Sequence, residues 1–187
     1  ETGSRLGLKA GDRLTVADLL TAALVRSAND ACHALADWHA GSEARFVRLM
    51  NRRAVELGLR DTRFVNACGH DAPGHHASAS DLATLAETAM RRPAFAERVA
   101  RDIARVRALD GKREFLIENT NALIGRLPGA IGVKSGYTRK AGKSLVALAE
   151  REGVRVLLVL LNAPNRWWDA HAILERAFAE PREPRGA

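Results

Sequence analysis

The C-terminal third of the chain constrains the fold most. V-K-S-G-Y-T at 133–138, S-L-V-A-L-A-E at 144–150 and V-R-V-L-L-V-L-L at 154–161 are three apolar, β-branched runs joined only by R-K-A-G-K and R-E-G. Turns that short make neighbouring strands antiparallel, so the segment predicts a meander. A strand as apolar as the third belongs inside a sheet, buried on both faces and paired on both edges. In a three-stranded meander it would lie at an edge. The fourteen residues before Thr15 are too few to cover it, so the sheet is expected to lack strands.

Upstream the period changes to that of helices. Thr15 with Asp18 opens a helix to about Arg26, and a second runs from about Asn29 to Trp38. Between them stands S-A-N-D, 27–30. Ser27 followed three residues later by Asp30 reads as a capping box, with Asp30 in place of the usual Glu. A third helix fits 42–57, with Gly58 as its stop. Ser78 or Ser80 caps a fourth through Met90, ended by Pro93. Residues 94–107 fit helix throughout or helix passing into strand, and A-L-D-G-K at 108–112 suggests a hairpin. Residues 1–14, with Gly3, Gly7 and Gly11, suit a turn or hairpin. A last helix spans about 167–178, and 180–187 reads as a frayed tail.

Composition excludes several classes. With 187 residues, 47% apolar and 27% charged, the chain is an ordinary globular domain rather than a disordered or fibrous one. The run at 154–161 is too short to span a bilayer and carries Arg155. The opening E-T-G-S is not a signal peptide. A net charge of +7 suggests anionic surroundings. Its densest cluster is Arg91, Arg92, Arg98, Arg101, Arg105 and Arg107, with only Phe95 among them. Aromatic residues make up 5% of the chain, too few for a base-stacking platform, so the cluster reads as a solvated helix face and no nucleic-acid partner is expected. Cys32 falls on the apolar side of a helix and reads as core, and Cys68 lies in a loop. A bridge between them is the disfavoured alternative.

Three stretches could carry chemistry. G-A-I-G-V-K-S-G is glycine-rich with Lys-Ser, but Val133 stands between Gly132 and Lys134 and the segment leads into a strand, so it is no phosphate loop. As a strand, its alternation points Lys134 and Gly136 to one face, Ser135 and Tyr137 to the other. A strand glycine marks close approach of a ligand, and a lysine beside it suits an anionic, peptide-like one. His70, Asp71, His75 and His76 crowd one loop without any metal-ligand spacing and read as a polar loop with no metal or cofactor. Ser27 and Asn29 place a hydroxyl and a carboxamide two residues apart at a helix entrance.

In combination, Ser27-Ala28-Asn29 and Lys134-Ser135-Gly136 resemble the S-x-N and K-[TS]-G motifs of the penicillin-recognising serine enzymes. L-G-L-K-A-G-D-R-L-T-V-A-D-L-L, A-x-E-L-G-L-x-D-T-x-F-V-N, H-D-A-P-G-H, S-D-L-A and N-T-N-x-L are similar, in order, to the D-alanyl-D-alanine carboxypeptidases, the low-molecular-weight penicillin-binding proteins. The resemblance runs from about Ser4 to Phe178. It implies an α+β penicillin-binding protein / serine β-lactamase-like transpeptidase fold: an antiparallel sheet flanked by helices plus a helical subdomain, with its N-terminal part missing. Residues 15–92 would be the mainly helical part, 99–163 the sheet part and 165–179 the last helix, within one partial catalytic domain over 1–179. It implies an extracytoplasmic enzyme whose partners are β-lactams and peptidoglycan stem peptides ending in D-Ala-D-Ala.

By the same resemblance, Ser27 would relay a proton to the leaving amine and Asn29 would orient an activating lysine and the substrate amide. Lys134 and Ser135 would hold the terminal carboxylate, Gly136 would let the substrate approach, and the Tyr137 N–H would serve an oxyanion hole. One motif is lacking. The family's nucleophile lies in Ser-x-x-Lys, whereas Lys9, Lys112, Lys134, Lys140 and Lys143 follow Leu6, Leu109, Ile131, Tyr137 and Lys140 by three. Glu1 corresponds to a point after that motif, so a fragment of a longer exported protein is expected, inactive alone, ahead of a non-catalytic cell-wall peptide-binding homologue.

Overall fold

The structure, a computed structural model, describes residues 3–180. Helix α1 (Val16–Thr21) starts where the sequence places it, because Thr15 Oγ1 accepts the Asp18 N–H. It passes into a π-helical turn, Ala22–Arg26, then α2 (Asn29–Ala40), α3 (Glu43–Glu56), α4 (Ala79–Met90) and α5 (Pro93–Val99). Ser42 caps α3, Gly58 at φ +72° closes it, and Ser78 rather than Ser80 caps α4. Pro93 does more than follow α4: it occupies the first turn of α5, where its missing N–H leaves no bond unmade.

Strands β1 (Ile103–Arg107) and β2 (Glu114–Glu118) form the expected hairpin, so 94–107 is helix passing into strand. Strands β3 (Ala130–Thr138), β4 (Gly142–Arg151) and β5 (Val154–Leu160) form the antiparallel meander in that order, and α6 (Arg166–Ala179) follows. Central β4 is apolar on both faces because both are covered. Leu145, Ala147 and Ala149 pack on Ala170 and Leu174 of α6, and Leu148 packs with Ala86 of α4 and Val133. Strand β5 pairs only with β4 among the described residues, and none of its residues reaches full burial. This is the edge position that its sequence makes unexpected.

A separate core joins the helical segment to the hairpin: Ala22, Val25, Ala28 and Ala31 against Ala104, Val106 and Ile117. Small residues on the helical side let the backbone around Ser27 approach the sheets closely.

Of the turn or hairpin expected over 1–14, residues 3–14 take the turn, at Ala10–Gly11, and the Asp30 carboxylate holds them by accepting the N–H groups of Leu6, Gly7 and Leu8 at 2.9, 2.7 and 2.9 Å. Three readings need correction. The arginine cluster is not one helix face, since Arg98 on α5 bonds Thr21 and Ala94 while Arg105 and Arg107 stand on β1 beside Glu114. Cys32 and Cys68 form a disulfide with Cα atoms 5.9 Å apart. Helical periodicity could not reveal it, because the partner sits in a loop whose path depends on α3 and α4. The third is Ser27, which does not cap α2. Of the expected tail, 181–187 lie outside the described residues. No helix among the described residues is long and apolar enough to cross a membrane.

Candidate functional site

The site begins at a break in the helix. Ser27 adopts the left-handed conformation, φ 60° and ψ 37°, which ends the π turn, and Ala28 is extended before α2 starts at Asn29. A non-glycine residue there is strained by about 1–3 kcal/mol and persists only where its surroundings fix it. The N-cap of α2 is therefore Ala28, which makes no side-chain cap bond. The capping box is absent: Asp30 serves the N-terminal segment, and the Ser27 hydroxyl faces β3.

There Lys134 Nζ donates to Ser27 Oγ at 2.8 Å and to the Ser135 carbonyl at 2.8 Å. Burial pushes the lysine pKa down from 10.5 to about 8, and the nearby Arg166 guanidinium adds to the shift. The residue as a whole is half-buried, and its ammonium is surrounded closely enough by protein atoms for burial to dominate the shift.

Ser135 Oγ donates to the Thr120 carbonyl at 3.1 Å and lies 3.2 Å from Thr120 Oγ1. The Thr120 N–H is bonded to the Val25 carbonyl, two residues before Ser27. Alternation along β3 sends Lys134 and Ser135 to opposite faces, yet both bond the same neighbourhood. The four-carbon lysine stem curls back over its own strand, whereas the short serine reaches the end of β2 directly.

Asn29 follows on the first turn of α2, with its N–H on the Ser4 carbonyl. A Cβ on Gly3 would fall 2.9 Å from Asn29 Nδ2, so the N-terminal segment passes the carboxamide closely. Gly136 is exposed, and nothing lies within 4 Å of where its Cβ would be. Tyr137 is exposed beside it. Among the described residues β3 pairs only with β4, which leaves its other edge open.

Two residues of the site had no assigned role in the sequence. Thr120 had no signal beyond the N-T-N run. Arg166, at the start of α6, had none at all. Its Nη1 donates to the carbonyls of Gly136 and Ser144, its guanidinium stacks 4.5 Å over Trp167, and burial lowers its pKa. Arg166 Nε is buried without a hydrogen-bond partner. Neither Arg166 nor Lys134 is ion-paired with a carboxylate among the described residues. Two cations that no carboxylate offsets, Lys134 at the open edge of β3 and Arg166 over its paired side, suit an anion.

The histidine-rich loop makes structural bonds. His75 Nδ1 accepts the Val65 N–H, and Asp71 holds the β3–β4 turn. His33, Glu43 and Cys68 approach within 4.8 Å of one another, but Cys68 Sγ is committed to the disulfide. Cavities of about 380 Å³ beside α6 and about 460 Å³ between α4 and β5 are lined by neither Ser27 nor Lys134.

This is the architecture of the penicillin-binding, DD-transpeptidase fold. The crystal structure of the Streptomyces K15 DD-transpeptidase matches with TM-score 0.88 and 32% identity, over 95% of this chain and 73% of that one. A D-alanyl-D-alanine carboxypeptidase from Mycobacterium tuberculosis H37Rv matches with TM-score 0.88 and 33% identity, over 98% and 71%. Residues 1–165 match the D-alanyl-D-alanine carboxypeptidase family, peptidase S11, and the chain belongs to it. It is 37% identical over 161 residues to DacF of Bacillus subtilis (strain 168), covering 86% of this chain and 41% of DacF. With DacC of Escherichia coli (strain K12) the identity is 37% over 162 residues, covering 83% and 38%. The chain thus spans about two fifths of the length of these relatives.

Proposed function

We propose that this chain supplies the substrate-binding side of the groove of a serine-type D-Ala-D-Ala carboxypeptidase, which trims peptidoglycan stem peptides outside the cytoplasm through an acyl-enzyme and is inhibited by penicillin. One observation carries the reading. Lys134, set deep at the Ser135 carbonyl on the side of β3 that β4 leaves open, and Arg166, partly buried over the Gly136 and Ser144 carbonyls on the paired side, are cations with no carboxylate partner among the described residues. An extended peptide that adds to this edge would place its terminal carboxylate between the two cations, with Ser135 as a further donor. Gly136 leaves room for it, and the Tyr137 N–H is one oxyanion donor, the other belonging to the attacking serine.

Ser27 and Lys134 form the proton path. Nζ donates to Ser27 Oγ, so the single hydroxyl proton of Ser27 is directed elsewhere, toward the amine that leaves as D-alanine. As that proton transfers, Lys134 replaces it, and a lysine whose pKa is about 8 gives up a proton far more readily than one at 10.5. Asn29 orients the activating lysine and the scissile amide. The attacking serine belongs to a Ser-x-x-Lys that these 187 residues do not contain, so residues 1–187 alone are inactive.

Labelling with a fluorescent penicillin tests this. The expected result is no covalent label on residues 1–187 and a label on the gene product extended upstream through a Ser-x-x-Lys. Label on residues 1–187 would show that the nucleophile is misplaced, and an extended product that binds stem peptide but takes no label would favour a non-catalytic peptide-binding homologue.

A further inference from the structure

The loop between α3 and α4 touches both walls of the groove. At Cys68 it is joined covalently to Cys32 of α2, and Cys68 Sγ lies 3.9 Å from the Asn29 carbonyl oxygen. Three residues later Asp71 reaches the opposite wall, where its carboxylate accepts Thr138 Oγ1–H at 2.6 Å and the Lys140 N–H at 3.1 Å. Thr138 ends β3, the strand of Lys134 to Tyr137, and its Oγ1 also accepts the Ala141 N–H at 3.0 Å. The Thr138 bond, followed by the Lys140 N–H, holds the Asp71 carboxyl below its ordinary pKa.

We propose that Asp71 is a positioning residue of the groove: it forms the hydrogen-bonded end of a strap, residues 68–71, whose other end the Cys32–Cys68 disulfide fixes beside Asn29. A chain of three residues extends at most about 10 Å. The strap therefore limits how far the wall bearing Ser27 and Asn29 separates from the wall bearing Lys134. The loop's other bonds run to α3 and α4, as Asn51 with Phe64, Glu43 with Ala67 and Asp81 with Asp61 and Thr62 do, or stay within the loop, as those of Asn66 with Gly69 and His70 and of Arg63 with His76 do. These do not cross to β3.

The anchor is chemically addressable, since both cysteines are partly exposed. A dithiol reductant attacks one sulfur as thiolate and forms a mixed disulfide. Its second thiol then displaces the protein sulfur, leaving two cysteine thiols and the cyclised disulfide of the reductant. Reduction would slacken the strap without disturbing Asp71.

The strap concerns the same groove as the proposed function, but its first test needs no enzymatic activity. Amide hydrogen exchange on residues 1–187 should quicken about tenfold at Lys140 and Ala141 in Asp71→Ala, with the Val25 and Leu145 amides unchanged. Dithiothreitol should quicken the same two amides in the wild type and add nothing in Asp71→Ala. Unchanged exchange in Asp71→Ala would overturn the strap, and unchanged exchange after reduction would overturn the part given to the disulfide. On the upstream-extended protein, Asp71→Ala and Thr138→Val should each slow acylation by penicillin about tenfold, and the double variant should be no slower than either. Additive losses would refute a shared positioning role, because residues acting through one bond do not add.

Discussion

Lys134 offers a direct measurement of what the site does to the fold. Its ammonium is held where burial, reinforced by Arg166, lowers the pKa from 10.5 to about 8. Between those values the unfolded chain binds a proton that the folded chain releases, so stability rises with pH through that window and is flat below it. The gap corresponds to about 3 kcal/mol, and since the residue as a whole is only half-buried the expectation is about 2–3 kcal/mol. Urea unfolding of wild type and Lys134→Met from pH 7 to 10.5 isolates the effect, because every other titrating group cancels in the difference. The wild type should gain on the variant steadily above pH 8. In Arg166→Gln the lysine loses its cationic neighbour, so its pKa climbs and the gain shrinks. A wild-type minus Lys134→Met difference independent of pH would refute the buried-ammonium argument and the anion site built on it.

Two further substitutions test the segments around the site. Ser27→Ala and Ser27→Gly both remove the hydroxyl that accepts from Lys134, but only Gly relaxes the left-handed backbone, so the Gly variant should be more stable than the Ala variant by about 1 kcal/mol in thermal or urea unfolding. At Asp30, burial acts to raise the carboxyl pKa, and the N–H groups of Leu6, Leu8, Gly7 and Ala31 together outweigh it and lower it below 3.8. Asp30→Asn should lose about 2 kcal/mol at neutral pH, and the wild type's advantage should vanish as pH falls through the lowered pKa. An advantage that persists in acid would show that shape rather than charge holds residues 6–8.

Local order was legible wherever one element carried its own signal. The cap at Thr15, the stop at Gly58 and the meander follow from side-chain chemistry that acts within a few residues. The S-A-N-D stretch shows where such reasoning fails. Ser27 and Asp30 match a capping box in spacing, yet neither caps α2, because each has a better partner brought by the fold: Lys134 from β3, and the N–H groups of residues 6–8.

The sequence by itself determined which residue types were available: a hydroxyl and a carboxamide at a helix entrance, and a lysine and glycine on a strand. Tertiary structure decided their pairing. Lys134 meets Ser27 across 107 positions, Arg166 meets Gly136 across 30, and Cys32 meets Cys68 across 36. Helix and strand periods describe neighbours along the chain, and they hold no information about which distant side chains converge once sheet, helices and loop pack together. Arg166 had no signal for that reason. Its cationic role exists only because α6 packs on the meander and delivers it, unneutralised by any carboxylate among the described residues, to the carbonyl of Gly136.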